Sequence, residues 1–336
     1  MRELTRLTRR GFGRLALAGL VPFGFQASAR RYAYTHLDVF TTHPYEGNQL
    51  LVFTQPQGLD AGVMHTLTRE SNLSECTFVF PPDAAGIDHR VRIFTRNGET
   101  PFAGHPTIGT AFALAHTGAI KAGTVRSVFG LGVGPTPIDL EWDGPRLNFA
   151  WMTQLTPTFG KTVADGPALA AALGLETAAL AIGRAPAQEV HTGSTFFIVP
   201  LATRKAVDAA VLDRVKIDAV FAAAGIQRRG VYVFSTEPAQ DDAVAYSRLL
   251  STGGIEDPAT GSAAGPAGSF IARYGFVPQA STRSIVFLQG VLVKRPSRIH
   301  VNVEVNAPRA GAAPNEIGSV KVGGAAVVVG DGSVSV

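Results

Sequence analysis

One cysteine, Cys76, stands in a chain of 336 residues, so no intrachain disulfide can form. Metal-ligand motifs are missing as well. There is no His-Glu-x-x-His and no Cys-x-x-Cys, and the eight histidines show no ligand pair at short spacing. Gly130-Leu131-Gly132-Val133-Gly134 runs into Pro135 rather than a helix, so it is not a dinucleotide loop. Gly261-Ser262-Ala263-Ala264-Gly265 puts its serine one place too early for a nucleophile elbow, and no P-loop is present. No apolar stretch reaches the ~18 to 20 residues of a membrane span. Charged residues make up 17% against 46% hydrophobic, a balance that can bury a large core and opposes disorder.

The formal net charge of +4 invites a nucleic-acid reading, but the excess is local. Arg2, Arg6, Arg9, Arg10 and Arg14 face one acid, Glu3, before residue 30, and the remainder is balanced. No basic binding surface follows from that distribution. The segment itself reads as an export signal over residues 1–29. Thr8-Arg9-Arg10-Gly11-Phe12 resembles the twin-arginine motif, an apolar stretch follows, and Ala27-Ser28-Ala29 supplies a small-residue cleavage site. The expectation is a periplasmic protein that folds before export, with a cytoplasmic one as the alternative.

Strand patterns occupy residues 32–41, 49–54, 75–80, 89–95 and 125–151. Residues 64–71 form a short helix, and 107–119 a small-residue helix stopped at Gly118. Composition changes near Pro157 and Gly160, which sets a boundary between halves at 30–151 and 152–319. In the second half, helices are expected over 164–174, 207–224 and 259–274, and strands over 196–199, 231–235, 243–249, 284–293 and 298–305. A last strand over 320–329 belongs to a segment, 320–336, that could return to the first half. Each half thus reads as a set of strands around one Ala/Gly-rich helix, with ordinary close helix–sheet packing as the alternative.

Two segments look like copies. His105-Pro106-Thr107-Ile108-Gly109 aligns with Asp257-Pro258-Ala259-Thr260-Gly261, so a His and an Asp mark two matched helix starts. Proline suits the first turn of a helix, and the free N–H groups there attract anions. Glu75 opens the run Glu75-Cys76-Thr77-Phe78-Val79-Phe80. On a strand, Cys76, Phe78 and Phe80 share a core face and Glu75 projects the other way. A carboxylate in a dry cleft gains a raised pKa, as a proton carrier near neutral pH requires.

Asn72-Leu73-Ser74-Glu75-Cys76-Thr77-Phe78-Val79, Arg92-Ile93-Phe94-Thr95 through Pro101-Phe102-Ala103-Gly104-His105-Pro106-Thr107, and Glu256-Asp257-Pro258-Ala259-Thr260-Gly261-Ser262-Ala263 together resemble the phenazine-biosynthesis isomerase family. Asp38-Val39-Phe40-Thr41, Gly47-Asn48 and Arg295-Pro296-Ser297 fit the same pattern. The resemblance implies an α/β (α+β) fold like diaminopimelate epimerase. Two pseudo-symmetric domains would each wrap a mixed sheet round a central helix, with the site between them. It also implies proton transfer at carbon on a small carboxylate substrate, with no cofactor and no metal, in a homodimer. Glu75 would be the general acid/base, and His105 and Asp257 would assist. Gly104, Gly261, Ser262 and Asn48 would bind substrate, the helix starts holding its carboxylate or developing charge. Gln49, Cys76 and Lys294 depart from the family's frequent Pro, Thr and Gly. Cysteine-dependent racemases of related fold use two thiols, and this chain has one.

The leading expectation is thus an isomerase using Glu75. The alternatives are an exported small-ligand-binding protein without turnover and an amino-acid racemase or epimerase, which needs two proton carriers.

Overall fold

The computed structural model describes residues 30–250, 256–306 and 315–336, so the expected export signal lies outside the described residues. The first half contains β1 (Arg31–Val39), β2 (Asn48–Phe53), α1 (Ala61–Ser71), β3 (Glu75–Phe80), β4 (His89–Thr95), β5 (Gly98–Thr100), α2 (Gly104–His116), β6 (Arg126–Leu131), β7 (Gly134–Asp143) and β8 (Arg146–Thr153). The second contains β9 (Thr158–Val163), α3 (Gly166–Ala172), β10 (Ala187–His191), β11 (Thr195–Pro200), α4 (Arg204–Ala209), α5 (Arg214–Ala224), β12 (Gly230–Ser235) and β13 (Ala245–Leu250). It continues with α6 (Gly261–Arg273), β14 (Ile285–Gln289), β15 (Ser297–Val305) and β16 (Ile317–Gly324), and β17 (Ala326–Ser335) follows.

Strand pairing repeats between the halves. Along β17, β1, β2, β3, β4, β6, β7 and β8, neighbours run antiparallel, antiparallel, parallel, antiparallel, parallel, antiparallel and antiparallel. Along β9, β10, β11, β12, β13, β14, β15 and β16 the order of senses is the same. The last strands, β8 and β16, pair antiparallel and join the two sheets. The first sheet takes its opening strand, β17, from the far end of the chain. The valine-rich run expected as one strand is therefore two: β16 belongs to one sheet and β17 to the other. The chain crosses at Ala325, whose carbonyl accepts from the Phe40 N–H at 2.8 Å.

Each sheet encloses a helix with no solvent face. Every residue of α2 from Gly104 to Leu114 is buried, and so is every residue of α6 from Gly261 to Ala272 except Ser262. A helix that is apolar all round needs cover on all sides, and its small side chains let a sheet close tightly. Both helices share one central core. Outside the sheets, α1 covers Phe53, Cys76, Phe78 and Phe94, while α3 and α5 cover the second sheet. Strand β3 is thus buried on both faces. Cys76 and Phe78 lie under α1, Thr77 accepts a hydrogen bond from Thr110 of α2 at 2.9 Å, and Val79 joins the central core. Glu75 shares parity with Thr77 and Val79, so it faces α2.

Two local expectations change. The helix over 207–224 is two helices, because the Asp213 carboxylate caps a new start by accepting from the Val215 and Lys216 N–H groups. The copied segments also match in a different register. α2 and α6 each run thirteen residues, from Gly104 and from Gly261, so His105 is level with Ser262 and Asp257 precedes its helix. Lys294, where the family's glycine is frequent, sits at φ 58°, the left-handed region that glycine adopts without strain.

The two helix starts touch. A Cβ on Gly104 would lie 2.4 Å from the Ser262 nitrogen and 2.6 Å from the Gly261 Cα, both backbone atoms. Gly104→Ala should cost about 3 kcal/mol or more, the upper range for overpacking a site that cannot relax. Denaturant unfolding measures this, and a loss below about 1 kcal/mol would show that the two halves can part at no great cost.

Candidate active site

Four side chains converge where the halves meet. Glu75 is the first residue of β3 and pairs with Thr95 of β4. Asn48 opens β2, and His105 is the second residue of α2. Asp257 arrives from the other half on the segment leading to α6. The Asn48 carboxamide is the joint: its Nδ2 donates to Asp257 Oδ1 at 2.6 Å and to the Ala259 carbonyl at 2.9 Å, and lies 3.1 Å from His105 Nδ1. The Thr260 hydroxyl donates to Asp257 Oδ2 at 2.6 Å, so both carboxylate oxygens are occupied. Behind them, Gln289 Nε2 donates to the Asp257 carbonyl at 2.9 Å and to Thr260 Oγ1 at 3.0 Å, while its Oε1 accepts from the Tyr232 hydroxyl.

The other side of His105 is different. Its Nε2 stands 3.7 Å from Glu75 Oε2. Both atoms are buried, and neither has a hydrogen-bond partner in the protein; the adjacent Ser74 hydroxyl is buried and unpartnered too. Buried polar groups are nearly always paired, and each exception calls for an explanation. Three unpaired polar atoms at one corner are what a site looks like when its third party is a substrate.

Burial sets the protonation states. It pushes the Glu75 carboxyl above the ordinary carboxylate range. It pushes Asp257 up to about 6, reinforced by the charge of Glu75 and opposed by His105 and the bonds from Thr260 and Asn48. It pulls His105 down to about 4, with Asp257 only partly offsetting it, so the imidazole is neutral at pH 7. A neutral imidazole beside a carboxyl of raised pKa can share or pass a proton without forming a permanent ion pair.

A cavity of about 330 Å³ opens at this corner, with Asn48, Gln49 and Ser74 on one wall and Asp257 and Pro258 on the other. A larger cavity of about 530 Å³ lies between α3 and α5, far from these groups, and its wall is mostly alanine and valine. Chemistry, not size, selects the smaller one. Among the residues singled out from the sequence, Asn48, Gln49 and Asp257 line this cavity; Glu75 and His105 are not in its wall, Glu75 following the wall residue Ser74 and His105 Nδ1 lying 3.1 Å from the Asn48 carboxamide. Gly104, Gly261 and Ser262 do not line it; they form the contact between helix starts behind it. Among the described residues, no group of three or more His, Cys, Asp or Glu side chains could hold a metal ion.

Ser74 and Thr260 belong to the family-like segments, whereas Gln289 and Tyr232 lie in strand runs with no local signal. The Asp38-Val-Phe and Arg-Pro-Ser segments pair across the halves, Arg295 Nη2 meeting Asp38 Oδ1 at 2.5 Å.

Residues 37–332 match the family described as phenazine biosynthesis-like protein, PhzC-PhzF. The chain is 33% identical over 311 residues to a trans-2,3-dihydro-3-hydroxyanthranilate isomerase of Pseudomonas chlororaphis, covering 90% of this chain and 98% of that protein. A PhzF-family protein of Bacillus anthracis has a similar structure, with a TM-score of 0.77 at 24% identity over 91% of this chain and all of that one (100%). A hydroxyproline epimerase of Agrobacterium vitis shares the fold at 13% identity and a TM-score of 0.59, covering 91% of this chain and 93% of that one.

The buried acid makes a pH-dependent prediction. Asp257 holds its proton more tightly folded, at about 6, than unfolded, near 3.8, so its contribution to stability is present at low pH and lost as pH rises through 6. Asp257→Asn removes that loss. Its stability relative to wild type should improve between about pH 4 and about pH 7, measured by denaturant unfolding at each pH. A constant difference would mean that Asp257 ionises freely.

Proposed function

The chain belongs to the PhzC-PhzF family of phenazine biosynthesis-like proteins and is an isomerase; from that premise we propose that it moves a proton between carbons of a small carboxylate, with Glu75 as the single general acid/base and no cofactor. The observation that carries the reading is the pair of unpaired buried atoms, Glu75 Oε2 and His105 Nε2, facing each other at 3.7 Å beside a cavity. In the proposed cycle the ionised Glu75 takes a proton from a carbon made acidic by an adjacent unsaturated or carboxyl group. The electron pair shifts through that system, and the protonated Glu75, whose acidic proton exchanges with solvent, delivers a proton to a second carbon. The reaction is balanced and regenerates the carboxylate. A raised pKa matches Glu75 to both steps near neutral pH. Neutral His105 and the Ser74 hydroxyl hold the reacting part of the substrate. Asp257 fixes Asn48 and through it His105. Backbone N–H groups at Gly104, Gly261 and Ser262, with two helix dipoles behind them, oppose the negative charge that develops as the proton leaves.

Two-base epimerisation is the competing chemistry, and the bonding of Asp257 weighs against it. Both its oxygens already accept hydrogen bonds, from Asn48 and Thr260, so Asp257 is not free to serve as the second base. We further propose a homodimer, and export by the segment before residue 30. Replacing Arg9 and Arg10 with lysine should leave the protein in the cytoplasm with that segment attached, as read by fractionation and intact mass; normal export of the variant would sink the proposal.

Trans-2,3-dihydro-3-hydroxyanthranilate, named for the Pseudomonas relatives, is the first compound to test, followed by other unsaturated small carboxylates. In deuterium oxide, wild type should place deuterium at carbon, as seen by NMR. Glu75→Gln should lower the rate by at least about 10²-fold, with a smaller effect on binding. Cys76→Ser, beneath α1 on the opposite face of the strand, should keep the exchange. The reverse pattern would hand the proton to the thiol.

A further inference from the structure

Four charged side chains line the cavity: Arg96, Glu256, Asp257 and Arg295. Three are committed inside the protein. Arg295 is paired with the buried Asp38 through Nη2, which also donates to the Glu46 carbonyl, and its Nε donates to the Gly47 carbonyl. Glu256 meets Arg248 at 2.7 Å. Asp257 is held by Asn48 and Thr260. Arg96 is the exception. It is exposed, its Nε donates to the Leu73 carbonyl at 3.1 Å, and its Nη2 donates to the Asn72 carbonyl. Among the described residues it meets no carboxylate. Carbonyl partners orient a guanidinium without cancelling its charge, so one full positive charge is left facing the cavity.

The charge is also well placed. Arg96 follows Thr95, the cross-strand partner of Glu75, in the turn between β4 and β5. Its own carbonyl accepts from His65 Nε2 of α1 at 2.9 Å, so the residue is tied on both sides. Directly opposed residues on paired strands lie about 5 Å apart, so the Arg96 backbone stands one residue on from the position facing Glu75. A planar, fixed fork of donors suits a carboxylate.

We propose that Arg96 is the specificity-determining residue of this isomerase, pairing at the cavity mouth with the carboxylate of the substrate whose carbon faces Glu75. The inference rests on the proton-transfer reading of the same cavity. It selects anionic acids over their neutral amides or esters, and the helix starts are then left to stabilise charge that develops during the reaction.

The test separates charge from scaffolding, because Arg96 also ties down the Asn72–Leu73 turn just before Glu75. Glutamine at this position keeps N–H donors for those carbonyls and loses the charge; lysine keeps the charge. Benzoate and benzamide, which differ in charge but little in shape, are titrated calorimetrically into wild type, Arg96→Gln and Arg96→Lys. Wild type should prefer benzoate by about tenfold, the size of one charge-assisted contact near solvent. The preference should shrink with added salt. Arg96→Lys should keep most of it, and Arg96→Gln should lose it. With a turned-over acid, Arg96→Gln should raise KM far more than it lowers kcat, whereas a purely structural tie would lower kcat and spare the benzoate preference. No preference in wild type, or an undiminished one in Arg96→Gln, overturns the proposal. Binding is read without turnover, so a wild type that prefers benzoate yet exchanges no deuterium would refute the proton-transfer reading and leave the anion site standing.

Discussion

The contact between Gly104 and Gly261 governs the rest of this molecule. Two helices buried along nearly their whole length meet start to start, with no room for a single carbon between them. That contact fixes how far apart the sheets can stand, and the cavity is the gap that remains beside it. It also brings two helix N-termini, each with uncompensated N–H groups and the positive end of a dipole, to one place. Such an arrangement is repulsive in itself. It is more easily sustained where negative charge is at hand, as Asp257 and Glu75 are here.

The same closeness dries the site. Asn48 is 3% exposed and His105 3%, so the carboxamide, imidazole and carboxylates act on one another with little screening. Desolvation is the largest influence on Glu75, His105 and Asp257 alike, and it moves all three towards their neutral forms. In the proposed cycle the proton-carrying range of Glu75 would come from burial, the first influence on its carboxyl. Of the cations near it, Arg295 and Arg248 are engaged in tying the halves and loops together.

Much of this was legible from residues in sequence. The small-residue helices announced themselves by composition, because only a helix wrapped on every side can afford no polar face. Alternation in β3 separated Glu75 from Cys76 correctly, although it could not show that both faces are buried, since that depends on α1 and α2 packing from opposite sides. The repeat was real but misregistered. Pro106 and Pro258 look equivalent in sequence, yet one lies inside its helix and the other before it, and the glycines that touch are the better marker. The break at Asp213 needed a cap to be preferred over continuation, and the crossing at Ala325 needed knowledge of which sheet each valine joins. Ser74, Gln289 and Tyr232 gain their meaning from partners distant in the chain, which no local pattern encodes.

The repeated architecture carries chemistry that is not repeated. β3 occupies the place in the first sheet that β12 occupies in the second, each parallel to the strand before it. β3 opens on Glu75; β12 opens on Gly230. The second residue of α2 is His105, and that of α6 is Ser262. A symmetric pair of proton carriers, one from each half on opposite sides of a carbon, would need an acid or thiol at the counterpart of Glu75; strand pairing makes that counterpart Val231, opposite the last residue of β13 as Glu75 is opposite the last of β4, and a hydrocarbon side chain carries no proton. What the second half contributes instead is Asp257, on a connecting segment without a counterpart carboxylate in the first half and with both oxygens engaged. In the proposed cycle one half therefore offers the group that would meet the substrate, and the other the group that would set its surroundings. That division favours a proton leaving and returning through a single carboxylate, and hence movement of the proton between carbons over inversion at one.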